Sequence, residues 1–254
     1  MFNIKNKNIL ITGAGGLLGS QFTKTLFSQG AICHALDIDS QKLNKLKFSI
    51  KKKISKNLKV YNIDMTNITH INNLYNYFKK KKINIEVLLN NAANNFDLNN
   101  QKKNIWEEDI NLNLTAVKNL INLFSKQMKK NKRGNIINVG SDLSIIAPDQ
   151  RIYKDLNGYI KPLSYSVTKH GLVGMTKYYA SLFAKYNIRV NCLSPGGVYN
   201  KQNPKFVKKL KNLIPLNRMA KIDEYNGAIL FLCSDATNYM TGHNLIIDGG
   251  RTII

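Results

Sequence analysis

Ile9-Leu10-Ile11-Thr12-Gly13-Ala14-Gly15-Gly16-Leu17-Leu18-Gly19 is the stretch that decides the fold. A short apolar strand runs into a glycine turn, and an amphipathic helix pattern opens at Leu17. Glycines let backbone fold sharply and come close to a pyrophosphate, which then meets the free amides of a helix N-terminus. The next strand ends in Asp37, 18 positions beyond Gly19. A carboxylate there can accept hydrogen bonds from both ribose hydroxyls of an adenosine and would repel a 2′-phosphate. No Arg or Lys lies in the turn directly after it, so the sequence predicts a dinucleotide site that takes NAD, with NADP the lesser alternative.

Outward from that turn, apolar runs and amphipathic stretches alternate. Strands are expected at Asn8–Thr12, Ala31–Asp37, Leu58–Ile63, Glu86–Leu89, Asn135–Val139, Arg189–Leu193 and Asn244–Ile247. Helices are expected at Leu17–Gln29, Ser40–Lys52, Ile68–Lys80, Glu107–Lys130, Tyr165–Tyr186 and Asp223–Ser234. Such alternation with short linkers gives a doubly wound parallel sheet of about seven strands covered by helices on both faces. No repeat or composition break divides the 254 residues, so one domain over 1–254 is expected. Its cofactor-binding half is residues 1 to about 130, and the catalytic and substrate half follows.

Composition excludes several classes. The chain is 43% hydrophobic and 21% charged, which describes a soluble globular protein with a sizeable core. No apolar run reaches the roughly 18–20 residues of a spanning helix, so no membrane partner is expected. Cys33, Cys192 and Cys233 have no metal-ligand spacing, so neither a disulfide framework nor a metal site is expected, and the cytoplasm is the expected compartment. The net charge of +23 invites nucleic acid, but 33 of the 38 basic residues are Lys and only 5 are Arg. Base readers favour the Arg fork. Lys is in excess together with 35 Asn and 29 Ile, as an AT-rich coding sequence would produce, and its runs suit solvated helix ends. No nucleic-acid partner is expected.

The second constellation is Tyr165-Ser166-Val167-Thr168-Lys169. Residues four apart share a helix face, and a fixed cation beside a phenol lowers its pKa toward a useful acid–base range. The spacing also occurs at Tyr75/Lys79 and Tyr77/Lys81, which suit a solvated helix end. Tyr165 differs in its surroundings: Gly140-Ser141 ends the strand upstream and Ser194-Pro195-Gly196-Gly197 the strand downstream. Both strand ends fall on the ligand-binding edge of an open parallel sheet.

Taken in order, these markers resemble the short-chain dehydrogenase/reductase family over essentially the whole chain. They are Thr12-Gly13…Gly19, Asp64, Asn90-Asn91-Ala92-Ala93, Asn113, Ser141, Tyr165…Lys169, Arg189-Val190-Asn191, Pro195-Gly196 and Thr241-Gly242…Asp248-Gly249-Gly250. The resemblance implies that Ser141 holds the substrate oxygen and Tyr165 exchanges the proton. Lys169 would grip the nicotinamide ribose and lower the Tyr165 pKa, and Asn113 would support a water joining Lys169 to solvent. Gly13, Gly16, Leu17, Leu18, Gly19, Asp37, Ile38, Asp64, Met65, Asn91, Ala92, Ala93, Pro195, Gly196 and Val198 would line the cofactor with Tyr165 and Lys169. It further implies an NAD(H)-dependent interconversion of an alcohol and a ketone, in a homodimer or homotetramer.

Departures carry information too. Gly16-Leu17 stands where compact members usually have another residue and Gly, and Ala93 replaces a Gly. Ser141 and Tyr165 are 24 positions apart, longer than usual, so residues 147–162 must border the cleft, while the stretch after Gly196 suggests a reduced lid. The insertion and the ending Asp248-Gly249-Gly250-Arg251-Thr252 resemble a flagellin-modification and polysaccharide-biosynthesis subgroup. A sugar, sugar-phosphate or nucleotide-sugar substrate is therefore expected. Arg151 is a candidate anion anchor, unless it merely pairs with Asp149 or Asp155, and Tyr153 is a second candidate substrate residue. The alternatives are a 3-oxoacyl-carrier-protein reductase using NADPH and a non-catalytic cofactor-binding scaffold. Trp106 is expected to cap the core, and His170 to be a packing residue. The helix face Tyr178, Tyr179, Leu182 and Phe183 is expected to meet another subunit.

Overall fold

The computed structural model describes residues 2–50, 56–94, 105–156 and 159–254. Seven strands form one sheet: β1 (Asn8–Thr12), β2 (Ile32–Asp37), β3 (Leu58–Asn62), β4 (Val87–Asn90), β5 (Gly134–Val139), β6 (Ile188–Pro195) and β7 (Asn244–Ile247). All pairings are parallel, in the order β3-β2-β1-β4-β5-β6-β7. The order reverses between β1 and β4, and the ligand crevice of such a sheet opens at that switch, outside the carboxyl ends of the strands. Thr12, Asn90, Val139 and Pro195 are those carboxyl ends.

Helices cover both faces, and this explains why the central strands read as unbroken apolar runs. On one face Ile9 and Ile11 pack with Phe22 and Leu26 of α1 (Leu17–Ser28), Leu43 of α2 (Ser40–Ser49), and Ile229 and Leu232 of α8 (Asn226–Cys233). On the other, Leu10 and Leu88 pack with Leu74 and Phe78 of α3 (Ile68–Lys80), Leu120 and Phe124 of α5 (Val117–Lys130), and Leu172 and Phe183 of α6 (Leu163–Phe183). Successive residues of β1 serve opposite cores, as the two-residue period of a strand requires.

Two helical features were not foreseen. The stretch expected as one helix over Glu107–Lys130 is α4 (Ile105–Ile110), then a π-helical segment (Asn111–Ala116), then α5. Its Trp106 is 44% exposed, so it does not cap the core. After β6 the chain also forms α7 (Pro204–Lys211), in the stretch where a reduced lid is expected. A signal was present: Asn203 caps the helix through its side chain and Pro204 fills its first turn. Beneath α7 lies a small third core of Ile152, Tyr153, Leu210, Ile214 and Met219.

Candidate active site

The glycine turn is as tight as its sequence suggests. Gly13 has φ +62, and a Cβ there would lie 2.7 Å from the Ala92 backbone. A Cβ on Gly19 would lie 2.0 Å from the Gly13 carbonyl oxygen, so only hydrogen fits between helix α1 and the turn. The N-terminus of α1 carries no side-chain cap. The Thr12 hydroxyl accepts the amides of Asn91 and Ala92 at 3.0 Å each, and Asn91 Nδ2 donates to the Thr12 and Gly13 carbonyls at 3.0 and 3.2 Å. The ends of β1 and β4 are thereby tied together at the switch. A cradle that any Cβ would fill, beside an uncapped helix start, fits the phosphates of a dinucleotide.

Asp37 stands where the sequence places it, at the end of β2. Its Oδ2 accepts the Gly15 amide at 2.8 Å and its Oδ1 the Asp39 amide at 2.9 Å. Ile38 beside it is 68% exposed, open to an adenine. The turn after Asp37 contains no base, but α2 returns Lys42, whose Cβ abuts Gly15 and whose Nζ pairs with Asp39 at 3.2 Å. Asp64 Oδ1 holds the Thr66 amide and hydroxyl at 2.8 and 2.6 Å, and Met65 is buried in the core beyond it. Leu17 and Ala93 are exposed at the crevice, and Leu18 packs against the core. Pro195 ends β6, the Gly196 amide donates to Ile247 O at 2.8 Å, and Val198 bridges to Ala220.

Across the switch, Ser141 follows β5, while Tyr165 and Lys169 come from one face of α6. Ser141 stands beside the Tyr165 phenol and acts to lower its pKa. Lys169 Nζ donates to the Val139 carbonyl at 2.9 Å and lies 5.7 Å from the centre of the Tyr165 ring. Burial pushes Tyr165 up to about 12, with Ser141 pulling the other way and the charges of Asp142 and Asp109 adding to the rise. The expected lowering of the phenol by Lys169 is absent from these influences, and burial dominates. The same burial lowers Lys169 to about 8. Asn113 sits in the π segment, donates Nδ2 to Thr168 Oγ1 at 3.2 Å, and keeps a buried Oδ1 that has no protein partner. An orphan acceptor at this depth suits a bound water.

The structure adds groups that sequence reasoning missed. Lys161 Nζ lies 3.7 Å over the Tyr165 ring, and burial followed by the charge of Lys169 brings it down to about 8. Its backbone is held on both sides by Gln150, at 2.9 and 3.1 Å. The four-residue spacing Lys161, Tyr165, Lys169 was a visible signal. Asp109 is buried, accepting from Ser164 Oγ at 2.6 Å and Asn94 Nδ2 at 2.8 Å. Asp142, next to Ser141, forms a buried ion pair with Arg251 at 2.6 Å.

The insertion residues behave otherwise than the anchor reading requires. The Arg151 guanidinium grips Asp149 with Nε at 2.9 Å and Nη2 at 2.8 Å, and its side chain is 80% exposed. That is the loop-ordering alternative. The Tyr153 ring is buried against Tyr159 and Phe206, each 5.5 Å away, and its phenol feels the charges of Arg251, Asp142 and Tyr165. His170 is exposed, with Nδ1 against the Ser166 carbonyl at 2.9 Å, and so is not a packing residue. Tyr179 and Phe183 belong to the core, leaving Tyr178 and Leu182 exposed. Among the described residues, no cluster of His, Cys, Asp or Glu could hold a metal, and no helix is long and apolar enough to cross a membrane.

Comparison with known proteins agrees with this geometry. Residues 13–252 match the family model described as enoyl-(acyl carrier protein) reductase. The chain is 33% identical to a 3-oxoacyl-[acyl-carrier-protein] reductase of Thermotoga maritima, covering 98% of this chain and 99% of the relative. An NAD-dependent glycerol dehydrogenase of Listeria innocua is 29% identical, covering 99% and 96%. A crystal structure of a short-chain dehydrogenase from Leptospira borgpetersenii with bound NAD+ superposes with a TM-score of 0.87 at 30% identity, covering 98% and 94%. The chain belongs to the short-chain dehydrogenase/reductase family and is an oxidoreductase acting on CH–OH groups.

Proposed function

We propose that the protein is an NAD(H)-dependent dehydrogenase that interconverts an alcohol and a ketone on a sugar-type polyol, a sugar phosphate or a nucleotide sugar. The observation that carries this reading is the gathering of Ser141, Tyr165 and Lys169 at the carboxyl ends of β5 and β6. NAD, when bound, supplies the hydride acceptor. In the oxidising direction the ionised Tyr165 oxygen takes the hydroxyl proton as the carbinol carbon loses hydride and becomes a carbonyl. Ser141 fixes the reacting oxygen, and Lys169 supports the phenolate by charge. The orphan Asn113 Oδ1 holds a water through which the proton leaves. Asp37 receives the adenosine ribose, which favours NAD over NADP. Filled catalytic positions argue against a non-catalytic scaffold. An exposed apolar stripe on α6, Leu163, Val167, Tyr178 and Leu182, supports a homodimer or homotetramer.

Lys42 beside Gly15, with the carrier-protein reductase likeness, supports a second reading: reduction of a 3-oxoacyl thioester with NADPH. One assay separates the two. Turnover of polyols, aldonates, sugar phosphates or nucleotide sugars with NAD+ supports the first reading. Turnover of only an acetoacetyl carrier thioester with NADPH replaces it.

A further inference from the structure

The Gln150 side chain grips the backbone of Lys161 at two points. Its Oε1 accepts the Lys161 amide at 2.9 Å, and its Nε2 donates to the Lys161 carbonyl at 3.1 Å. The start of the insertion is thereby locked to its end. Further contacts tie the insertion to α7: Asp155 pairs with Lys209 at 2.8 Å, and the Tyr153 ring packs on Phe206. What this grip presents is Lys161 Nζ, 3.7 Å from the centre of the Tyr165 ring. A substrate oxygen seated against that phenol brings its neighbouring carbons close to a half-buried ammonium.

Charge around the pair is unbalanced. Lys161, Lys169, Asp109, Asp142, Tyr153 and Tyr159 stand about Tyr165, with Arg251 behind Asp142. Asp109 already accepts from Ser164 and Asn94, and Asp142 is paired with Arg251. Asp149, which also feels Arg251, is matched by Arg151. Among the described residues, this wall sets the cations Lys161, Lys169 and Arg251 against only Asp109 and Asp142. Burial, followed by the charge of Lys169, brings Lys161 down to about 8, while Asp142 and Asp109 pull it back up. An anion arriving with the substrate relieves both strains.

We propose that Lys161 is a specificity-determining residue that takes a carboxylate or phosphate carried within a few bonds of the reacting carbon, and that Gln150 is its positioning residue. This rests on the reading of Tyr165 as the reacting group. It gives the insertion a task that Arg151, committed to Asp149 in solvent, does not perform. An ammonium is a point charge on a flexible stem and can donate to either anion. The backbone grip supplies the aim.

The test uses probes that share a carbon chain and differ in charge: glycerol against D-glycerate and glycerol 3-phosphate, and D-glucitol against D-gluconate. Each is titrated into the enzyme–NADH complex, where an alcohol cannot turn over, and followed by cofactor fluorescence. An anionic probe should bind tighter than its neutral partner by about tenfold or more, the usual worth of a hydrogen bond to a charged group. A lead for glycerate and gluconate assigns a carboxylate; a lead for glycerol 3-phosphate assigns a phosphate. Lys161→Met should erase the preference, Lys161→Arg should keep it, and Gln150→Ala should reduce it, with neutral probes unchanged in all three. No preference in the wild type, or one that survives Lys161→Met, overturns the proposal. So does an equal loss for neutral and anionic probes, which would make Lys161 part of the wall and nothing more. An undiminished preference in Gln150→Ala removes Gln150 from it.

The pH profile is the second readout. Lys161 is charged below about 8 and loses its charge as pH rises through that value. The ratio of anionic to neutral affinity should therefore be full near neutral pH and decline above about 8, and in Lys161→Arg it should decline less. Lys169 titrates in the same range, and the Lys161→Arg profile isolates its share. Identical profiles in the two proteins sink the idea. If anionic probes bind in this way but no alcohol is oxidised with NAD+, the proposed function fails and this inference stands. Polyol oxidation without any preference for charge keeps the function and removes the inference.

Discussion

The Asp37 carboxylate accepts the Gly15 backbone amide at 2.8 Å, so the residue that ends β2 also shapes the glycine turn on β1. Cofactor choice and loop geometry are therefore joined. NADH should bind at least tenfold tighter than NADPH, a difference of about 1.4 kcal/mol. Asp37→Ala should narrow the gap while weakening both cofactors, because the turn loses its brace. Titration calorimetry that finds equal affinities in the wild type removes the NAD reading.

Tyr165→Phe should lower kcat by about a hundredfold or more, the usual span of proton-transfer catalysis, with NADH affinity nearly unchanged. Lys169→Ala should impair both turnover and binding. Tyr75→Phe keeps a ring against Phe124 and serves as the control. Retained activity in Tyr165→Phe would identify another acid.

Glycine substitutions should split sharply. Gly19→Ala forces a methyl onto the Gly13 carbonyl and should abolish NADH binding, with a lowered melting temperature. Gly174 lies on the exposed side of α6 with open space about it, so Gly174→Ala should stabilise by about 0.4–1 kcal/mol. Thermal melts of the two variants check both signs.

His34 predicts an acid limit. Its ring is fully buried in β2 between Tyr61 Oη and Asn8 Oδ1, at 3.1 and 3.0 Å, and burial with the charge of Lys59 lowers it to about 4. The unfolded chain takes up this proton near pH 6.5, before the folded one does. Stability from neutral His34 is thus full above pH 6.5 and is lost as pH falls through about 4. The loss is about 3 kcal/mol at most. Denaturant melts of wild type and His34→Gln should converge as pH drops from 7 to 4; parallel curves would remove the assignment.

Arg151→Lys should leave KM unchanged for any substrate, since the guanidinium is committed to Asp149 in solvent. A large rise in KM at constant melting temperature would restore Arg151 as an anchor.

What the sequence showed and what it hid follow from range. Every strand was legible, because each carries a short apolar or β-branched run between helical patterns, even at the sheet edges β3 and β7 where residues are partly exposed. The glycine turn and Tyr165/Lys169 were legible because their chemistry lies within a few positions. Asp142–Arg251 was not, since its partners are 109 residues apart and meet only when β7 joins β6. Asp109 was hidden among exposed acidic neighbours, Glu107 and Glu108. The π segment was hidden because an apolar helix pattern tolerates one wide turn.

That wide turn gives the wall of the site one residue of slack. An α-helix advances about 100° per residue, and a π segment accommodates one residue more than its α counterpart. Deleting one of residues 111–116 would therefore let α4 and α5 join as a regular helix with their faces kept nearly in register. Asp109 would stay beside Ser164 just ahead of Tyr165, and the change would fall on Asn113 and its bond to Thr168. A second deletion has no wide turn left to absorb it and would rotate a whole wall of the crevice by about 100°.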